Sequence, residues 1–445
     1  MRLRTLKQLP SVVLMFGLFA VFISYLDNYL EARQALPFLN VTMFLWSLTA
    51  MTAGSVVRAA ASLRERSRLL GLYRMHAAVL FPLGAVVVFS FMSAFLPAAN
   101  LDDGPRWVLY PAYNAAIVVL SMLLPLPDHH RKFFRWYLLI AFVLAATSVF
   151  VDVLRPGTFS ILPDRAAGFA RNPNAGAFLL IALCSSLIVF DRVRGLDLVV
   201  LGVTALGVLA TLSRGGALLL AFVVCCYTPC VVRSAARRGV RVLVTRVAAL
   251  VLLGAGTYFG ITRLISQRMF ASASRMGMLS GKQEIVGPRE SRIGLVAESW
   301  ELVQQAPMLG YGSGFTYTME QGPHNIYLSR WLDNGLAGVV SYVWLIAAAC
   351  LTFWRRRYTP GLVFIGAVAI QGFFSHNLLE ERVFLLLLGV LLTMSLYNAT
   401  ERAVVPLATQ RAPHRVRPAF GLRDRGAEAH PAPVSLTQAR SPGPR

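Results

Sequence analysis

The chain alternates between long apolar segments and short polar connections. About twelve apolar segments have roughly the 20 residues that a helix needs to cross a bilayer. The sequence is 56% hydrophobic, only 14% charged and has a mean hydropathy of +0.58, values that exclude an ordinary soluble domain. The pattern predicts an all-α polytopic membrane protein with about 12 transmembrane helices. The segments lie at about residues 10–30, 37–58, 75–97, 107–126, 134–154, 174–190, 196–212, 215–232, 246–263, 331–354, 361–376 and 382–398.

The positive charges are concentrated in alternate connections, and this alternation predicts a topology. The net charge of +22 fits topology signals and anionic membrane lipids better than a nucleic-acid groove, so no nucleic-acid partner is expected. Placing the arginine-rich connections in the cytoplasm puts both termini there. The predicted organisation is transmembrane helices 1–9 in residues 1–263, a large outer loop at 264–328, helices 10–12 at 329–400, and a disordered basic tail at 401–445. The basic connections contain Arg64, Arg66, Arg68, Arg74, Arg131, Lys132, Arg135, Arg192, Arg194, Arg233, Arg237, Arg238, Arg241, Arg355, Arg356 and Arg357.

The large outer loop contains an amphipathic pattern that predicts one further helix. Pro288 suits its first turn, and Pro307 ends it. Arg289 and Arg292 lie three residues apart, on one side of that first turn, where free backbone N–H groups also attract anions. The pair therefore indicates a phosphate site, although lipid headgroups would also satisfy it. The predicted apolar face consists of Ile293, Val296, Trp300 and Val303.

Arg171 and Arg214 also lie in predicted outer connections, against the charge rule. Arg214 falls between two apolar segments with almost no loop, and an arginine in that setting is expensive unless it is paired or hydrated. The alternative is an anchor at a helix end whose side chain reaches the interface. Arg171 precedes Asn172 and Asn174, a set that suits either a substrate contact or a simple helix N-cap.

Two His-Asn pairs stand at outer ends of predicted helices. His324, followed by Asn325, comes after a glycine-rich loop, and a neutral imidazole there accepts a proton near pH 7. A polar boundary residue is the plainer alternative. His376, followed by Asn377, is either a decoy without a role in the site or a secondary wall of the same site.

The sequence contains no sign of a metal or other cofactor. All five cysteines fall within apolar segments and are interpreted as small buried hydrophobic residues. Neither a Walker loop nor an outer cluster of carboxylates with metal-ligand spacing occurs, so we expect no metal and no cofactor.

Four pieces of the second half together resemble the O-antigen ligase and polymerase family of bacterial membrane glycosyltransferases. They are Ser213-Arg214-Gly215; Arg292 in RIGLVAESWELVQQAPMLGYGSG; PMLGYG at 307–312; and HNIYL at 324–328 followed by NGLAG at 334–338. Val296 stands where an aromatic residue often follows the loop arginine in that family.

The resemblance implies a lipid-embedded active site that faces the periplasm of a bacterial inner membrane, with 264–328 as the periplasmic loop. It implies an undecaprenyl-diphosphate-linked glycan donor. The ligase branch, with lipid A–core as the acceptor, fits the length and the single dominant loop. An O-antigen polymerase or a protein O-oligosaccharyltransferase remains an alternative within the family, and a 12-helix anion transporter remains one outside it. The predicted catalytic residues are His324, Arg214 and Arg292, and Arg289 and Arg171 would join the two arginines in binding the diphosphate.

The topology is testable by thiol labelling. We expect Ser280→Cys, in the predicted periplasmic loop, to react with an impermeant thiol reagent in intact spheroplasts of a cysteine-free background. Arg233→Cys, in a predicted cytoplasmic connection, should react only after lysis. Labelling of position 233 but not of position 280 in intact spheroplasts would invert the topology.

Overall fold

The computed structural model describes residues 9–33, 41–96, 106–162, 165–190, 193–236, 292–319 and 321–410. The chain divides into a compact unit at 1–401 and a second unit at 402–445, of which only the end of one helix is described. The predicted ninth segment at 246–263, Arg289 and residues 411–445 of the predicted tail lie outside the described residues.

Throughout the described ranges the regular structure is helical, and no strand occurs in them. A short π-helix at Phe19–Ile23 follows the first helix, and short 3₁₀ turns occur at Gly168–Ala170, Phe315–Tyr317 and Leu378–Glu380. The α-helices are α1 Leu9–Leu18, α2 Leu26–Ala32, α3 Val41–Ala61, α4 Leu63–Met75, α5 Ala77–Ser93, α6 Arg106–Ser121, α7 Asp128–Leu154, α8 Pro173–Leu187, α9 Gly195–Ala210, α10 Arg214–Ala236, α11 Arg292–Gln305, α12 Ile326–Arg355, α13 Thr359–Gln371 and α14 Arg382–Gln410.

The predicted all-α membrane class agrees with the structure, while the number of spans stays a prediction. Each predicted segment within the described residues overlaps a helix. By length and composition, 4 of the described helices are suited to cross a membrane, or up to 6 if two bent pairs each count as one span. Helix α13 ends at Gln371, before the end of the predicted segment 361–376, so His376 lies in the turn beyond the helix.

Contacts at both ends of the bundle show which helix ends lie together. At one end, Nη1 of Arg356 lies 2.7 Å from Nε2 of His76, and the guanidinium of Arg131 lies 4.1 Å from the ring centre of Tyr397. At the other end, Arg382 forms an ion pair with Asp27. The basic connections that contain Arg131 and Arg356 therefore share one end, as predicted. Which end faces the periplasm stays a prediction.

Helix α12 is broken at Gly335, and the loop after α11 fills the break. Gly335 has φ +65° and ψ −162°, a conformation outside the helical region, and the helix resumes beyond it. The amide of Tyr311 donates to the carbonyl of Leu332 at 2.7 Å, and the amide of Leu336 donates to the carbonyl of Pro307 at 3.0 Å. Backbone groups released by a broken helix need such partners inside an apolar bundle. The break and the loop are therefore one structural feature.

Side chains fasten the same loop to α12 and α5. The carboxylate of Asp333, 2% exposed, accepts hydrogen bonds from the amide of Thr316 at 2.9 Å and from its hydroxyl at 3.2 Å. The hydroxyl of Ser313 donates to the carbonyl of Ser90. The loop that precedes His324 is thus held by two neighbouring helices.

The predicted helix in the large loop is confirmed as α11, but its predicted apolar face is wrong in part. Leu295, Ser299 and Val303 are buried, whereas Val296 and Trp300 are 39% and 44% exposed. Val303 packs against apolar residues of α12. Apolar periodicity misidentified the packed face because, in a protein next to lipid, apolar side chains also suit the face turned away from the protein.

Gly335→Ala should destabilise the protein markedly. This φ/ψ combination is almost restricted to glycine and costs about 1–3 kcal/mol in other residues, and an added Cβ would also collide with the carbonyl of Met308. We expect a lower melting temperature of the detergent-solubilised protein. The matched control is Gly84→Ala in α5, where an added Cβ meets nothing within 4 Å and a better helix former should leave the melt unchanged or raise it. Equal melts for the two variants would contradict this account.

Candidate functional site

Three helices begin at the same end of the bundle, and asparagines cap two of them. Oδ1 of Asn172 accepts a hydrogen bond from the amide of Asn174 at 2.9 Å, and Pro173 is the first residue of α8. Oδ1 of Asn325 accepts from the amides of Tyr327 at 2.9 Å and Leu328 at 3.3 Å, at the start of α12. The plainer interpretation of Asn172 as an N-cap is thus what the structure shows. The third helix, α10, begins at Arg214.

A guanidinium that the sequence did not single out ties the starts of α8 and α10 together. Nε of Arg165 donates to the carbonyl of Thr211 at 2.9 Å, and Nη2 lies 3.4 Å from Oδ1 of Asn174. The same Oδ1 accepts from the hydroxyl of Ser213 at 2.8 Å. Arg165 lies in a predicted outer connection, where the charge rule expects few arginines. The same signal that pointed to Arg171 could therefore have pointed to Arg165.

One buried carboxylate organises the connection that contains Arg165 and Arg171. Asp152, near the end of α7, accepts four backbone hydrogen bonds. They come from the amides of Phe159 at 2.7 Å and Ser160 at 3.3 Å, and from those of Ala167 at 3.0 Å and Gly168 at 2.9 Å. A carboxylate with four donors is well satisfied although it is buried. These hydrogen bonds therefore hold the described part of the connection in place at this end of the bundle.

Arg171 and Arg214 both present exposed side chains at this end. Arg171 has φ +62°, a left-handed conformation that is uncommon for residues other than glycine. The two glycines after Arg214 are needed for close packing. A Cβ on Gly215 would lie 2.9 Å from the ring of Phe374, and one on Gly216 would lie 2.7 Å from Cβ of Ala177.

His324 and His376 form a pair of imidazoles. Their ring centres are 5.4 Å apart with an edge-to-face angle of 63°, and the ring of Tyr317 lies 5.8 Å from that of His376. His324 is exposed and has φ +46°, whereas His376 is half-buried. His376, the secondary candidate from the sequence, therefore packs against His324, the primary candidate.

The surroundings keep His376 neutral. Burial, together with the neighbouring His324 and Arg330, lowers the pKa of His376 to about 4. Its buried Nδ1 has no hydrogen-bond partner among the described residues. Arg330, on the first turns of α12, is 9% exposed. Nothing in the sequence singled out Arg330, because its neighbours along the chain belong to an apolar helix.

The turn after α13 connects the histidine pair to the start of α10. The carbonyl of Gly372 accepts a hydrogen bond from the amide of Ile326 at 2.8 Å, and Phe374 covers Gly215. His324, His376 and the first turn of α10, which begins at Arg214, therefore belong to one region. Arg292 is the first described residue of α11, but its side chain, like all of Arg289, lies outside the described atoms, so their share in the site stays a prediction.

This region combines a solvent-exposed imidazole with fixed positive groups. The starts of α8 and α10 and the side chains of Arg171 and Arg214 favour an anion, and His324 is a suitable proton acceptor. Among the described residues, no group of three or more His, Cys, Asp or Glu side chains is placed to hold a metal ion.

The neutrality of His376 predicts a pH-dependent stability. Its pKa is about 4 in the folded protein, against 6.5 for an unperturbed histidine, so the unfolded chain takes up the proton first as the pH falls. The contribution is complete above pH 6.5 and is lost between pH 6.5 and 4, by about 1 kcal/mol at pH 5 after solvent screening. We expect thermal melts in detergent to fall less between pH 7 and 5 for His376→Gln than for the wild type. Melting temperatures that fall by the same amount in the wild type and in His376→Gln would contradict a buried, neutral His376.

Comparison with known proteins supports the resemblance seen in the sequence. Residues 198–343 match the family model described as O-antigen ligase. The matched stretch begins in α9 and ends within α12, so it includes both Arg214 and His324. A comparison with curated proteins finds no significant match. This match over about a third of the chain supports membership of the O-antigen ligase and polymerase family.

Proposed function

We propose that the protein is an O-antigen ligase: an inverting, metal-independent glycosyltransferase that moves a glycan from undecaprenyl diphosphate to lipid A–core. The observation that carries the proposal is the exposed His324 beside a neutral His376, close to the start of α10, whose first residue is Arg214. The proposal places the protein in the bacterial inner membrane with this region facing the periplasm.

His324 acts as the general base. The acceptor hydroxyl attacks the anomeric carbon of the donor sugar, its proton passes to His324, and the bond from that carbon to the diphosphate oxygen breaks. The electron pair leaves with the diphosphate, and a single displacement inverts the anomeric centre. The outward position of the His324 ring suits an incoming acceptor, since the residue is exposed and follows a loop fixed on α12. A base of this kind contributes about 10²–10⁴-fold.

The arginines hold the diphosphate and stabilise the charge that it gains on leaving. Arg214 and Arg292 carry this role, with Arg289 and Arg171 as further contacts. A guanidinium presents two parallel donors to a phosphate, which a lysine does not. The arginines act at every stage, because the diphosphate is charged before and after the bond breaks. Their effect grows in the transition state, where the leaving group gains charge.

The same chemistry with another acceptor hydroxyl would make the protein an O-antigen polymerase or a protein O-oligosaccharyltransferase. Purified protein supplied with lipid-linked glycan and, in separate reactions, lipid A–core, a second lipid-linked glycan or an acceptor protein distinguishes them. Product with lipid A–core alone supports the ligase.

Substitutions should separate the base from the diphosphate contacts. We expect His324→Ala to keep donor affinity and to lower turnover about 10²–10⁴-fold, since proton transfer occurs only in the transition state. Arg214→Lys should lower both donor affinity and turnover. The measurements are binding of a lipid-linked diphosphate analogue and the rate of transfer.

The matched control for Arg214→Lys is Arg155→Lys, an exposed arginine at the end of α7 with no proposed contact to donor. It should bind and turn over as the wild type does. Thermal melts establish that each variant is folded, and reactions in EDTA test metal independence. Near wild-type transfer by His324→Ala would remove His324 from the role of base. Normal binding by Arg214→Lys would place the diphosphate elsewhere.

A further inference from the structure

A polar cavity lies at the end of the bundle opposite His324. It has a volume of about 210 Å³, roughly seven times the 30 Å³ that a water molecule occupies in the liquid. The end of α3, the helix α4 and the turn before α7 line it, and it opens to the surface. Its polar lining consists of Ser55, Arg58, Glu65 and Arg68, and its apolar lining includes Leu69 and Leu126.

Helix α4 is placed like a helix at a membrane surface. It is bent by 75° from α5, an apolar helix of the bundle, at the break around His76. Leu72 is buried and Leu69 and Tyr73 pack beside it, while Leu63 and Met75 are exposed. An amphipathic helix with arginines and exposed apolar side chains, crossing the end of a bundle, lies naturally in the plane of the interface.

The charge around the cavity favours an anion. Nη2 of Arg58 donates to the hydroxyl of Ser55 at 3.2 Å, which holds the guanidinium at the cavity. Nη1 of Arg68 lies 3.8 Å from the carboxylate of Glu65, and Nη2 lies 3.4 Å from the hydroxyl of Tyr397. Glu65 balances one of the two arginines, so the lining stays positive. Arg131, stacked over Tyr397, adds a further positive charge nearby.

Apolar surface for acyl chains adjoins the same cavity. Val56 and Val57, immediately before Arg58 on α3, are 48% and 64% exposed. A phosphate held by Arg58 and Arg68 would place the glycerol and acyl chains of a phospholipid beside these valines. A free phosphate would gain nothing from them, so the arrangement favours a lipid.

We propose that this cavity binds the headgroup phosphate of an anionic phospholipid in the leaflet at this end of the bundle. Arg58 and Arg68 contact the phosphate, Ser55 holds Arg58 in place, and the acyl chains lie against α3. The site is separate from the region of His324 and does not depend on the proposed sugar transfer.

The test uses the full chain in neutral detergent, with phosphatidylglycerol, phosphatidylcholine, inorganic phosphate or glycerol phosphate added in separate titrations. We expect only phosphatidylglycerol to raise the melting temperature at low concentration. Native mass spectrometry should show it retained on the protein. The double variant Arg58→Gln/Arg68→Gln should weaken this binding at least about tenfold, because each arginine adds electrostatic attraction to an anionic lipid.

The matched control is Arg66→Gln/Arg74→Gln, which also removes two charges, from α4 but not from the cavity lining; it should bind as the wild type does. Equal loss in the control and in Arg58→Gln/Arg68→Gln would mean that net charge alone attracts the lipid, and would overturn the site. Stabilisation by inorganic phosphate or glycerol phosphate alone would overturn a lipid as the occupant, and an equal effect of phosphatidylcholine would overturn the need for negative headgroup charge.

If Arg58→Gln/Arg68→Gln does not fold, Ser55→Leu fills the cavity while all charges remain. Unchanged binding by that variant would equally overturn the proposal.

Discussion

The hydrogen bonds that close the break in α12 are the interaction on which the candidate site depends. A helix interrupted inside an apolar bundle exposes carbonyl and amide groups that water does not reach, and leaving them unpaired is costly. The loop at Pro307–Gly314 supplies the partners for Leu332 and Leu336. This pairing fixes the loop, and through it the ring of Tyr317 against His376 and the chain that leads to His324. Gly310 is required where the backbone of the loop contacts the backbone of α12. A Cβ on Gly310 would lie 2.5 Å from the carbonyl oxygen of Leu332.

Two buried carboxylates hold further connections and helix ends together at this end of the bundle. Asp152 binds four amides of the connection between α7 and α8. Asp27 pairs with Arg382 and joins α2 to the start of α14, and Arg382 also donates to Asn28. Buried ion pairs contribute little net stability, because desolvation offsets the attraction, but breaking one leaves an uncompensated charge. They therefore fix which helix ends meet, which is what a site assembled from several connections requires.

The polar groups of this end fall into two sets that differ in burial. Asp152, Asp333 and Ser213 are buried and have their hydrogen bonds within the protein. Arg171, Arg214 and His324 are exposed on the framework that those buried groups create. The first set explains the geometry. The second offers positive charge for the diphosphate of a lipid-linked donor and a proton acceptor for the attacking hydroxyl. In the proposed reaction, His376 remains neutral and so adds no positive charge beside the base.

The sequence by itself determined the local features of this protein. Apolar runs of membrane-spanning length predicted the helical class, the spacing in the large loop predicted α11, and the motifs around Arg214 and His324 predicted the family. Caps are equally local, because an asparagine bonds to amides two or three residues away, as Asn325 does. Only the tertiary structure decided what depends on distant contacts. Arg165 acts on carbonyls more than forty residues away, Arg330 becomes a buried charge beside His376, and the packed face of α11 is chosen by α12. Neither apolar periodicity nor composition predicts these contacts, because a protein surface next to lipid is as apolar as the protein interior. The sequence therefore shows where the helices lie but not which of their faces pack together.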